Sequence, residues 1–195
     1  MNRSDAFQVR TMRRDELSFT IDLAANEGWN PSLHDAECFF SADPAGFLIG
    51  ELADEPVGCV SAVSYGGRYG FVGLYIVRPE FRGHGYGRQL FRAALARLHD
   101  HDIGLDGVVA QQGKYAHYGF RLAYRNLRFR GHARPATSHA SIQAADEVAF
   151  DAIRDLDRQI FPEPRDAFLR AWLSQPAASA LVARAGASLT TFELG

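Results

Sequence analysis

Three glycines in five positions, Gly83, Gly85 and Gly87, stand in the stretch VRPEFRGHGYGRQL, between an apolar run and an amphipathic one. A helix that begins directly after such a turn aims several unpaired backbone N–H groups at one spot, where its dipole also favours negative charge. A phosphate or pyrophosphate fits that spot. Glycine lets the backbone approach the anion closely, and Arg82 adds a permanent cation beside it. A helix entry that needs only a positive φ would be served by a single glycine. The nucleotide-binding P-loop would require Gly-Lys-Ser/Thr, whereas Gly87 is followed by Arg88 and Gln89. The dinucleotide fingerprint stays open as an alternative, with Gly83 and Gly85 matching two of its glycines and Asp106 about 20 residues on. Against it, Gly87 comes one place too early for the third glycine, and the loop follows several strands instead of the first.

Elements must position this loop, and the flanking pattern supplies them. FQVRTM reads as a strand and ELSFTIDLAANEG as a helix capped by Asp15, with Leu17, Ile21, Leu23 and Ala24 on one face. NPSLHDAECFF reads as a second helix with Asn30 as N-cap and Pro31 in its first turn. GFLIGELA, PVGCVSAVSY and YGFVGLYIV form an antiparallel meander joined by tight turns at DEP and GGR. Leu74 and Ile76 alternate with Tyr75 and Val77, so one pair faces the core. After the loop, Leu90, Phe91, Ala94, Leu95 and Leu98 recur at helical spacing. IGLDGVVAQ is a buried strand, GKYAHYGF a short helix closed by Gly119, and FRLAYRNLRFRG alternates as a final strand. A first unit therefore spans residues 1–131.

Composition excludes several function classes. The 195 residues are 47% hydrophobic and 23% charged, enough for a sizeable core. A formal net charge of −2, with basic residues scattered among acids, indicates no nucleic-acid partner. Cys38 and Cys59 have no metal-ligand spacing and read as buried thiols, and His99, His101, His117, His132 and His139 show no metal pattern either. The amino terminus has no apolar signal core and no run approaches the roughly 20 apolar residues of a membrane span, so the expected location is the cytoplasm, with no membrane partner.

The loop, its strand and the YAHYGF segment together resemble the GNAT superfamily of N-acyltransferases, whose R/Q-x-x-G-x-G/A signature is matched by Arg82, Gly85 and Gly87. The resemblance covers about the first two thirds of the chain. It implies an α+β fold: a mixed, mostly antiparallel sheet with splayed central strands, flanked by helices. It implies an enzyme that transfers an acetyl group from acetyl-CoA to a primary amine of a small molecule or protein by direct attack. Ile76 and Val77 would offer backbone groups to the pantetheine arm, and Arg82, Gly83, His84, Gly85, Tyr86, Gly87 and Arg88 would hold the phosphates. A backbone N–H near the same strand would stabilise the oxyanion. Tyr115, aligned through Gly119 and Phe120, would protonate the leaving thiolate, with Tyr118 as packing. Relatives often carry a glutamate base on the strand before the loop, and YGFVGLYIV has no acid. Glu27, Trp29, Asn30, His34 and Asp35 wall the acceptor side in this reading, without any one standing out as base. A non-catalytic acyl-CoA sensor is the other alternative.

Residues 132–140, within the Pro, Ser and His stretch HARPATSHAS, read as a linker. Residues 141–195 then repeat the order strand, helix, short helix, strand, and Phe40 with Pro44 has the same spacing as Trp172 with Pro176. The stretch AANEGWNPSLHDAECFFSADPAGF further resembles a bacterial subgroup that carries a degenerate second GNAT-like domain behind the first, which implies that residues 141–195 are part of such a domain, shortened at its end. Phe150, Ile153, Leu156, Ile160, Phe168 and Trp172 carry apolar surface that must be covered. The expected cover is the first unit or, preferentially, the same segment of a second chain in a homodimer.

Overall fold

Three consecutive stretches, near-continuously apolar in β2 and β3 and so suited to burial on both faces, produce the meander at the centre of the molecule. The computed structural model of the chain describes residues 6–127, 129, 131–132, 141–176, 178–185 and 188–194. Strand β1 (Gln8–Thr11) is followed by helices α1 (Leu17–Asn26) and α2 (Asp35–Ala42), then by β2 (Phe47–Leu52), β3 (Glu55–Tyr65) and β4 (Tyr69–Val77). Helix α3 (Tyr86–Arg97) leads to β5 (Asp102–Leu105) and to the short helix α4 (Gln112–Ala116). The sheet order is β1-β2-β3-β4-β5, antiparallel throughout except for the parallel β4/β5 pair. This is the expected α+β architecture.

Two apolar layers sandwich the sheet. On one face Phe47, Ile49, Cys59, Val63 and Ile76 pack with Leu17, Leu23 and Ala24 of α1 and Ala36 of α2. On the other, Leu48, Val60, Ala62 and Val72 pack against Leu90, Phe91, Ala94 and Leu98, the apolar stripe of α3. Because successive strand residues point to opposite faces, β4 sends Leu74 and Ile76 towards α1 and Tyr75 and Val77 towards α3.

Several local expectations need correction, and one is the buried strand IGLDGVVAQ, of which only residues 103–105 lie in β5 while residues 106–110 are exposed. Asp15 does not cap α1: Glu16 accepts the Arg13 backbone N–H at 2.7 Å, while its carboxylate is also gripped by Arg10 at 2.7 and 2.9 Å. Helix α2 starts at Asp35, not after Asn30, which sits before Pro31 with φ 52°, outside the helical region. The described residues of FRLAYRNLRFRG form no strand. Phe120 packs on the α3 side, but Leu122, Tyr124 and Leu127 are exposed. Alternation marks a capacity for pairing that needs a partner edge in register.

The second unit consists of β6 (Ser141–Ala144), α5 (Phe150–Asp157), α6 (Asp166–Leu173), β7 (Ala180–Ala185) and β8 (Ser188–Leu194), with a sheet in the order β6-β7-β8. Each element begins 131 to 133 residues after its counterpart β1, α1, α2, β2 or β3. The register irregularity recurs too, between Gly50 and Glu51 and again between Ala183 and Arg184. The unit docks on the first through the counterpart helices α2 and α6. Phe39 meets Phe168 at 5.1 Å between ring centroids, Phe161 packs edge-on against Tyr65 and Tyr69, and Arg68 pairs with Glu163 at 3.3 Å. Phe168 and Leu169 are thereby buried within the chain, whereas Ile160, expected to be covered, is 74% exposed. Among the described residues no helix is long and apolar enough to cross a membrane.

Candidate functional site

Strands β4 and β5 pair only from Tyr69 to Val72 against Asp102 to Leu105. Beyond that point they diverge, so from Gly73 to Val77 strand β4 keeps β3 on one edge and has no strand on the other among the described residues. A cleft of about 1100 Å³ occupies the fork. Its walls come from the end of α1 (Glu27, Trp29), the glycine loop and first turn of α3, the end of β5 (Leu105, Asp106) and the α4 region (Tyr115, Tyr118).

A bulge shapes the floor of the cleft. The β3/β4 register shifts between Cys59 and Ser61, and opposite it Leu74 takes φ 46°, left-handed for a residue with a Cβ. The buried Cys59 thiol donates to Leu74 O at 3.3 Å, and burial pushes its pKa up to about 12, so it stays a protonated donor. Arg78 donates its backbone N–H to Val57 O at 2.9 Å. By alternation Ile76 faces β3 as well, while Tyr75 and Val77 direct their backbone groups to the open edge. Of the expected pair Ile76 and Val77, Ile76 therefore turns its backbone groups to β3 and only Val77 faces the open edge, since neighbours in a strand cannot share an edge. Ile76 contributes its side chain to the core.

The glycines do different work. Gly83 and Gly85 both have φ 84°, and an added Cβ would meet nothing at Gly83 and only Arg88, at 3.9 Å, at Gly85. Here the conformation, not space, calls for glycine. Gly85 is the N-cap of α3, and the first N–H to find an intrahelical acceptor there is that of Gln89, on Gly85 O at 3.3 Å. The N–H groups of Tyr86, Gly87 and Arg88 precede it in the open first turn. Gly87 has another purpose: a Cβ there would stand 2.7 Å from the Tyr75 hydroxyl and 3.3 Å from Val77, so a bare backbone lets α3 lie against β4.

Among the other sequence-selected residues, Arg82 is not a free cation. Its Nε donates to Val77 O at 2.8 Å and its terminal nitrogen binds the Glu27 carboxylate, which ties the loop to the end of α1. Glu27 is thus held in an ion pair. His84 lines the cleft and stacks on Tyr86, whose ring turns away to stack on Phe7 at 4.6 Å. Arg88 and Trp29 line the cleft, Trp29 being set at its rim by a backbone bond from its N–H to Ala24 O at 3.0 Å. Asn30, His34 and Asp35 do not line it, and Asp35 instead accepts the Ser32 N–H at 2.9 Å at the start of α2.

Tyr115 enters from the α3 side, packed on Phe91 and Phe120 at 5.7 and 6.3 Å, and burial raises its pKa. It is held protonated, and its hydroxyl has no hydrogen-bond partner among the described residues. Tyr118 stands edge-on to Phe91 at 4.9 Å and also lines the cleft. Burial pushes Tyr75 up to about 12, with Tyr115 and Tyr118 nearby adding to the shift. Among the described residues no His, Cys, Asp and Glu group could hold a metal ion.

Sequence reading missed Tyr75, the Leu74 bulge and the wall position of Asp106. Strand alternation could have found the first; a leucine gives no sign of a positive φ. An open strand edge beside an uncapped helix start suits an extended chain ending in phosphates. Residues 9–120 match the family model described as Acetyltransferase (GNAT) family. A holothin acyltransferase from Pseudoalteromonas sp. (strain SANK 73390) is 34% identical over 161 residues, covering 82% of this chain and 55% of that protein. The chain thus spans about half the length of that relative. A Pyrococcus horikoshii acetyltransferase candidate has the same fold, with TM-score 0.78 and 22% identity over 91% of this chain and 65% of its own. A predicted acetyltransferase from Clostridium acetobutylicum solved with acetyl-CoA shares the fold at TM-score 0.50 and 16% identity, over 64% of this chain and 96% of its own. With the forked sheet, the glycine loop and the family match over more than half its length, the chain belongs to the acetyltransferase (GNAT) family.

Proposed function

We propose that the protein transfers an acetyl group from acetyl-CoA to an amine by direct attack on the thioester. The observation that carries this is the open edge of β4 from Gly73 to Val77, ending at an uncapped helix start behind Gly83 and Gly85. An extended pantetheine arm pairs with such an edge as an added strand would, through the backbone groups of Tyr75 and the N–H of Val77, whose carbonyl already accepts from Arg82. The pyrophosphate then meets the N–H groups of Tyr86, Gly87 and Arg88. Tyr115, protonated and facing the cleft, donates to the departing thiolate. Glu27 and Trp29 form the rim that the acceptor passes. Residues 1–131 serve as the catalytic unit and 141–195 as part of a second GNAT-like domain joined through 132–140, a division supported by the matching element order and register of the two sheets.

Calorimetric titration with acetyl-CoA and with NAD, followed by thiol-release assays on holothin and a panel of primary amines, tests the reading. Binding of acetyl-CoA but not NAD, with amine-dependent thiol release, is expected. Binding without turnover of any acceptor would identify an acyl-CoA sensor, and absence of acetyl-CoA binding would remove the proposal.

A further inference from the structure

An amine must shed protons to become an amide, and the cleft offers few groups to receive them. Strand β4 has no acidic side chain, and Glu27 is committed to Arg82. Among the described residues lining the cleft, Asp106 is the other carboxylate. Its position follows from the register. Leu105 is paired with Val72, so Asp106, the next residue, comes level with Gly73, one step before the Leu74 bulge on the floor. Its face follows from the pleat. Ile103 and Leu105 pack in the α3-side layer, whereas a Cβ on Gly104 would run into the Tyr69 hydroxyl and Phe71, which belong to the α1-side layer. Asp106, two residues beyond Gly104, shares that α1 side with Trp29 and Glu27. Its Oδ1 accepts from Asn126 Nδ2 at 3.3 Å, and its side chain is exposed to the cleft, where Oδ2 has no hydrogen-bond partner among the described residues. Tyr69, whose pKa is raised mainly by burial and further by Tyr124 and Asp106, marks the same proximity. Tyr115 lies in the other layer.

Resting on the acyl-transfer reading above, we propose that Asp106 is the carboxylate that binds the acceptor ammonium and carries away its protons, on the face of the sheet opposite Tyr115. The ammonium gives one proton to Asp106, which passes it to water. The freed lone pair attacks the thioester carbon; a C–N bond forms and the C–S bond breaks. The second nitrogen proton leaves by the same carboxylate, while sulfur takes a proton from Tyr115, which is refilled from water. The products are the amide and the free thiol, with one net proton released. Separating the two groups by the thickness of the sheet lets base and acid act at one carbonyl without neutralising each other.

Asp106→Asn keeps the size of the side chain and an acceptor for Asn126, and Asp106→Glu keeps the carboxylate. Acetyl-CoA affinity is measured by calorimetry, and kcat/KM by thiol release with holothin and with spermidine, tyramine and lysine, between pH 6 and 10. Expected is a loss of about 10²- to 10⁴-fold in kcat/KM for Asp106→Asn, with acetyl-CoA affinity unchanged. The deficit should shrink as pH rises and the amine arrives already neutral, and Asp106→Glu should recover part of the rate. Turnover of Asp106→Asn within threefold of the parent, or a fall in acetyl-CoA affinity that accounts for the whole loss, overturns the assignment. A parent that binds acetyl-CoA yet acylates none of these amines overturns it too, while leaving the cofactor half of the proposed function standing. A parent that does not bind acetyl-CoA refutes that function itself.

Discussion

Gly87 and Gly85 lie two residues apart in one loop, and replacing each with alanine should destabilise the protein for a different reason. At Gly87 a Cβ would stand 2.7 Å from the Tyr75 hydroxyl, against 3.4 Å or more for ordinary contact, so the ring or the helix must give by about 0.7 Å. Overpacking of that kind costs about 1–3 kcal/mol, offset by the roughly 1 kcal/mol that alanine gains over glycine inside a helix. Gly87→Ala alone should therefore cost about 0–2 kcal/mol. In a Tyr75→Phe background the obstructing oxygen is gone, the next atoms are Val77 Cγ2 at 3.3 Å and the ring carbon at 3.5 Å, and the substitution should become neutral or stabilising. The coupling between the two sites should reach about 1–3 kcal/mol. At Gly85 no atom lies closer than 3.9 Å, and the cost is that of holding a Cβ at φ 84°, about 1–2 kcal/mol. Tyr75→Phe should leave that cost unchanged. Urea unfolding of the four single and double combinations at each site, read as midpoint shifts at constant m, measures both couplings. Equal effects of Gly87→Ala in the two backgrounds, or rescue of Gly85→Ala by Tyr75→Phe, would refute this division of labour.

Gly85→Ala should also weaken acetyl-CoA binding at least tenfold in calorimetry, because relief of the strain turns away the N–H groups that the phosphates need. Tyr115→Phe should lower kcat about ten- to a thousandfold with acetyl-CoA affinity retained, and an unchanged kcat would remove this tyrosine as the acid. Arg165→Ala should cost about 3 kcal/mol, seen as a lowered thermal midpoint, because Asp157, with 3% of its side chain exposed, loses the guanidinium 2.6 Å away; a shift under a degree would contradict this. The Glu16 carboxyl is held down at about 2, chiefly by its hydrogen bonds to Arg10, so its contribution to stability is present above the ordinary carboxylate range and is lost as pH falls towards 2. Glu16→Gln should flatten the acid limb of the stability curve between about pH 4.5 and 2, and parallel limbs for variant and parent would exclude that role.

Some of the corrections share one cause: local pattern registers what a residue can do, and its neighbours decide what it does. Arg82, which lines the cleft, has the charge for a phosphate and also ties the loop to α1 through Val77 O and Glu27. Asp35 has the chemistry of an acceptor-side base but accepts the backbone N–H of Ser32. FRLAYRNLRFRG has the alternation of a strand, but its described residues find no partner strand. Conversely, Asp106 looked like part of a dinucleotide signature, and only the place where β4 and β5 part sets it beside the open edge.

By itself the sequence determined the order of elements from β1 to α4, the meander, the glycine loop at the start of α3 and the repeat in the second unit. All of these rest on local rules: the periods of 2 and 3.6, turn residues, and backbone freedom at particular φ angles. Tertiary structure alone decided which edge of β4 is open, that Leu74 bulges, that Gly87 makes room for Tyr75, and that α6 covers α2 within one chain. Those features depend on contacts between residues distant in the chain, such as Cys59 with Leu74 or Phe39 with Phe168, and one linear pattern is compatible with several such pairings. Packing selects among them, and the observed arrangement buries both apolar faces of the first sheet together with Phe168 and Leu169 of the second unit.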